Sequence, residues 1–181
     1  PDPKGGIQSS GTTDQPNGKN FNVMQQVADG ALNLVQGRSS VTGEPMMVVM
    51  GLTVKYASSQ AMAYSENVKL IDYILNKPQA IHILTWAVGN EVFDVAEIAT
   101  INRLVAYLKS PAVTAKLDRP VMTVSNYLNT DPWHNTNPTK QFPKIDLWGV
   151  NDYYGCYASG KCLTGFLDTL GPTADGSSMP I

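Results

Sequence analysis

Charge is scarce in this chain. Only 15% of its 181 residues are Asp, Glu, Lys or Arg, and the formal net charge is −2. Disorder driven by charge is thereby excluded for most of its length. No Lys/Arg cluster runs along the sequence, which argues against nucleic acid or an anionic membrane as partner. A neutral substrate fits better. No apolar run approaches the roughly 20 residues that span a bilayer. The longest, Pro45 to Val54, is the length of a buried strand.

Other signatures are missing too. There is no GxGxxG or GxxxxGK[ST] phosphate loop, and no GxSxG nucleophile turn. No His/Cys/Asp/Glu group has metal-ligand spacing, so the sequence calls for no metal and no cofactor. The Asn-x-Thr triplet at Asn137 is spoiled by Pro138. The chain starts at Pro1 without Met or a signal-peptide pattern, and reads as a mature or interior piece of something longer.

Cysteine is nearly absent. Cys156 and Cys162 flank the polar stretch Tyr157-Ala-Ser-Gly-Lys161. A local disulfide is geometrically easy across such a loop and implies an oxidising compartment, secreted or at the cell surface. Two free thiols are the alternative.

What is present is an alternation of apolar patterns. Residues 1–19 are rich in Gly, Pro, Ser, Thr and Asn and read as a loop or linker. Phe21 to Gln36 carries apolar residues at helical spacing and stops at Gly37. The run from Pro45 to Val54 predicts a strand buried on both faces, as in a parallel sheet. Ser65 to Leu75 predicts a helix capped by Ser65 and closed by Pro78. A strand is expected over Ile81–Val88, a helix over Ala96–Leu108 and a third strand over Pro120–Ser125. A long loop then holds Trp133 and His134, before a fourth strand at Ile145–Asn151. A short helix at Leu163–Leu170 and the first residues of a fifth strand at Met179–Ile181 complete the pattern. Such alternation implies parallel pairing through right-handed crossovers, in an open sheet or a closed barrel.

The chemistry concentrates at Trp86-Ala-Val-Gly-Asn90-Glu91, where a buried strand ends in a carboxyl. Functional groups gather where parallel strands end, on loops held by a rigid scaffold. Desolvation beside Trp86 favours the protonated acid, which a departing glycosidic oxygen needs. The Asn90 amide suits a sugar hydroxyl.

These residues resemble the clan A glycoside hydrolases, whose fourth strand ends in Asn-Glu. The stretch Ile83-Leu-Thr-Trp-Ala-Val-Gly-Asn-Glu91 is similar to the family 2 form, and Gly89-Asn-Glu-Val92 to the family 72 glucanosyltransferases. A second stretch, Ile145-Asp-Leu-Trp-Gly-Val-Asn-Asp-Tyr-Tyr-Gly155, resembles their sixth strand. Cys156 follows it much as in family 72, with Gly-Cys where those enzymes have Trp-Cys.

The resemblance covers roughly Pro45 to Ile181. It implies an α/β fold that is part of a (β/α)8 TIM barrel, about strands three to the start of seven. Residues 41–181 would belong to that barrel, and residues 1–40 to a loop or linker with one helix. Glu91 would be the general acid/base of a retaining β-glycoside hydrolase or transglycosylase. Asn90, Trp86, Asn151 and Tyr153 would line the sugar site. Asn126 enters by its position after the third strand, and Trp133 as a stacking platform in its loop. The partner would be an oligo- or polysaccharide. The nucleophile, a Glu at the end of strand seven, would fall just beyond Ile181.

Bland readings stand beside these. Glu91 at a helix N-terminus is favoured by the macrodipole alone. Trp86 and Trp148 suit ordinary core packing, and His82 a structural place early in its strand. A non-catalytic carbohydrate-binding or structural relative could keep the barrel without the nucleophile. A full barrel takes about 250 residues. Half of one would expose strand edges and apolar faces, so the remainder of the barrel or a partner chain is expected for stability.

Overall fold

The computed structural model describes residues 19–35, 43, 45–54, 59–90, 95–126 and 142–151. They form an α/β layer structure. Helix α1 (Lys19–Leu34) precedes strand β1 (Val48–Leu52), helix α2 (Gln60–Leu75) and strand β2 (Ile83–Asn90). Helix α3 (Val95–Leu108), the short α4 (Pro111–Thr114), β3 (Val121–Asn126) and β4 (Leu147–Asn151) follow. All four strands are parallel and lie in the order β1-β2-β3-β4.

That order has a consequence. Successive right-handed crossovers that always step the same way keep their helices on one face of the sheet. The burial pattern agrees. Met50 and Leu52 of β1, Trp86 and Val88 of β2, Val121 of β3 and Trp148 of β4 are buried in one core. Met24, Ala28 and Leu32 of α1, Leu70, Ile71 and Ile74 of α2, and Ile101, Leu104, Val105 and Leu108 of α3 share it. The register pairs Met50 with Trp86, Leu52 with Val88 and Trp86 with Val121, so these residues form rows on the helix side.

The opposite face differs. Val49 is 51% exposed and Gly51 is exposed, while Ala87, Met122, Val124, Leu147 and Gly149 are half-buried. The expectation of two buried faces for β1 is therefore corrected: the strand alternates. A continuous apolar run cannot reveal this, because Val49 and Met50 are equally apolar but turn opposite ways.

Local boundaries moved for identifiable reasons. Helix α2 begins at Gln60, not Ser65, because Ser59 caps it: its Oγ accepts from the Met62 N–H at 3.1 Å. Ser65 sits inside the helix and donates to the Met62 carbonyl instead. Residues Pro78–His82 form a 3-10 turn that delays β2 to Ile83. Pro78 opens that turn with its fixed φ. The strand in turn runs past Val88 to Asn90.

The amino ends of the strands are fastened by polar side chains. Arg119 donates from Nε to the Ile83 carbonyl at 2.6 Å and from Nη2 to Ile81 at 3.0 Å. Asp146 accepts from the Val121 N–H at 2.8 Å and from Lys109 Nζ at 2.6 and 2.7 Å. Between helices, the Tyr73 hydroxyl donates to Asp29 and that of Tyr107 to Asp72 at 2.6 Å. Among the described residues no helix is long and apolar enough to cross a membrane.

Candidate functional site

The carboxyl edge of the sheet is where the strand asparagines collect. Strand β2 ends at Asn90, β3 at Asn126 and β4 at Asn151. Asn126 and Asn151 are partners in register, so their backbones are about 4.8 Å apart. Asn90 pairs with Val124, two positions before Asn126 and thus about 7 Å lower along the strands. Three carboxamide residues therefore end three neighbouring strands, and Glu91 is the next residue in the chain after one of them.

Asn90 reaches that row through an irregularity. The ladder pairs Ala87 with Met122 and Asn90 with Val124, so Val88 and Gly89 together oppose Thr123. This is a β-bulge. Gly89 holds φ at +75°, a left-handed conformation that a side chain resists. Val88 has no register partner on β3, and its carbonyl accepts a hydrogen bond from Thr123 Oγ1 at 2.8 Å. Thr123 is 0% exposed, so that hydroxyl supplies a partner where no water reaches.

The end of β1 is tied down in a related way. Asn67 of α2, itself buried, donates to the Thr53 carbonyl at 2.7 Å, and Gln60 donates to Val54 at 3.3 Å. Side chains of the following helix thus satisfy the first carbonyls beyond the strand.

Of the residues expected at the site, the structure brings Asn90, Asn126 and Asn151 to one edge. Trp86 does not join them. It is 1% exposed and packed in the helix-side core, in the row of Met50 and Val121. It lies four residues before the strand end, with the bulge between them. Trp148 is likewise core, tilted against Phe142 with ring centroids 5.8 Å apart. His82 lies in the turn before β2, at the end of the sheet away from the carboxyl edge. Glu91, Trp133, Tyr153, Cys156 and Cys162 lie outside the described residues, as do the helix expected at 163–170 and the strand at 179–181.

Sequence reasoning missed Gly89 and Thr123 as a pair. A glycine inside a strand pattern is a signal for a bulge, and it was there to read. Nothing marked Thr123, because its role depends on a neighbour 35 residues away.

Among the described residues no group of three or more His, Cys, Asp or Glu is placed to hold a metal ion. No protein-family model matches the chain, and no curated protein or solved structure is significantly similar to it.

Proposed function

We propose that this chain carries the acid/base half of a retaining β-glycoside hydrolase or transglycosylase, on part of a (β/α)8 barrel. The observation that carries the reading is the carboxyl edge. A central parallel strand ends at Asn90 directly before Glu91, and the next two strands end in Asn126 and Asn151. Helices that all lie on one face of an in-order parallel sheet support a barrel wall over a doubly wound sheet, which carries helices on both faces. In barrels of this type chemistry sits at the carboxyl ends of the strands.

In the proposed reaction Glu91 gives its proton to the glycosidic oxygen as the bond to the anomeric carbon breaks. A second carboxylate, expected beyond residue 181, attacks that carbon and forms a glycosyl ester. Glu91, now ionised, takes a proton from water or an acceptor sugar, whose oxygen displaces the carboxylate. The two carboxyls of such a pair stand about 5–5.5 Å apart. Asn90 and its neighbours Asn126 and Asn151 offer donors and acceptors for sugar hydroxyls, and Tyr153 lies close in sequence to Asn151. The substrate class is a neutral β-linked glycan.

The test is a panel of aryl and oligosaccharide β-glycosides, assayed with the parent protein and Glu91→Gln. The variant should lose at least about a hundredfold in rate, the usual scale of general acid–base catalysis. It should recover on substrates whose leaving group needs no proton. A parent that binds glycans but turns none over would transfer the reading to a non-catalytic glycan-binding protein.

A further inference from the structure

We propose that Thr123 is a positioning residue, which with Gly89 turns Asn90 toward the face opposite the helices. What Asn90 then does rests on the function proposed above; its placement does not.

Strand parity decides which face Asn90 occupies. Along a strand, side chains alternate, so residues 86, 88 and 90 of a regular β2 would share a face. Trp86 and Val88 are on the helix side, buried at 1% and 0%. A regular β2 would therefore carry Asn90 into the core, where a carboxamide is costly and useless to a ligand. The bulge adds one residue opposite Thr123 and reverses the parity. Asn90 pairs with Val124, which pairs with Gly149, in the same row parity as the Asn126–Asn151 pair.

An added residue leaves a backbone group behind. Here the buried Val88 has no register partner on β3, and its carbonyl takes the Thr123 hydroxyl. An unpartnered buried carbonyl would favour the regular ladder, in which Val88 bonds to β3 again. The Thr123 hydroxyl removes that preference, and Gly89 removes the strain of φ +75°. Valine has the shape of threonine without the donor, and serine has the donor without the methyl group.

A deletion supplies the decisive control. Without Gly89 the strand is regular again, and Asn90 takes the register position opposite Val124 on the proper face. The carbonyl of Val88 then has its ladder partner, and Thr123 has no special task.

The experiment places a reporter cysteine at residue 90, Asn90→Cys, in the parent protein. Its alkylation rate is read by mass spectrometry on the peptide that contains it, apart from Cys156 and Cys162. Adding Thr123→Val should slow labelling about tenfold, as residue 90 turns into the core. Thr123→Ser should leave it near the parent rate. Deleting Gly89 in the Thr123→Val background should restore labelling. Should Thr123→Val unfold the protein and label faster, the same deletion should restore both folding and rate. Parent-like labelling in Thr123→Val, or a deletion that adds to its defect, would overturn the proposal. Retained activity in Glu91→Gln would overturn the functional reading and leave this one standing.

Discussion

Asp146 and Val121 exchange two hydrogen bonds: the Asp146 N–H donates to the Val121 carbonyl at 2.8 Å, and the Val121 N–H donates to Asp146 Oδ2 at 2.8 Å. A side chain thus extends the ladder by one rung at the amino end of β3 and β4. From that rung the register counts up to Asn126 opposite Asn151. The staple at the bottom of the sheet helps set which residues meet at the top.

The two partners of Asp146 should differ in worth. Asp146→Ala strips the acceptor from a buried N–H, which costs about 1–3 kcal/mol. Lys109→Met removes an ion pair whose members are one-third exposed, 33% and 39%, worth about 0–1 kcal/mol. Urea unfolding midpoints measure both. Equal losses would mean the ion pair, not the ladder bond, holds the strands.

Trp86→Ala should destabilise by about 3–5 kcal/mol, the cost of emptying a large core site. Trp86→Phe should lose much less and leave glycan affinity unchanged. A weakened affinity in a Trp86→Phe protein of parent stability would place the indole at the sugar.

Two glycines on the open face of the sheet predict opposite outcomes. A Cβ added at Gly51 meets nothing within 4 Å, so Gly51→Ala should be neutral or slightly stabilising. A Cβ at Gly149 would run into Met122 Cε and come within 3.0 Å of Val124 Cγ2. Gly149→Ala should cost about 1–3 kcal/mol, less if the methionine swings aside. Thermal melts of the pair decide it.

Tyr107 titrates late. Burial first, and then its bond to the Asp72 carboxylate, push its pKa from 10.0 to about 12. The folded state holds this proton more tightly than the unfolded state, so its contribution is complete below pH 10 and is lost as pH rises toward 12. Relative to Tyr107→Phe, the parent should lose stability over that window. Parallel stability curves across it would show that Tyr107 is not held protonated.

Much of the fold was legible because apolar spacing is local. The stripe Ile98, Ile101, Leu104, Val105 and Leu108 predicts α3, and the structure buries the last four of these residues. Strand-and-helix alternation likewise predicts a parallel sheet, and four parallel strands are present. Less legible were starts and stops. Ser59 and Ser65 are both acceptable caps, and only the extended backbone at Ser59 chose between them. At the site, the sequence by itself put Asn90 next to Glu91 at a strand end and Asn151 at another. Chain order alone ensures that.

Which side of the sheet each residue occupies was decided in three dimensions. One added residue opposite Thr123 reverses the alternation of β2, and a single hydroxyl from the next strand stabilises that reversal. The same pairing assigned Trp86 to the core and not to the edge. Side-chain direction in a strand has period two, so it follows from register, and register is a property of two strands together.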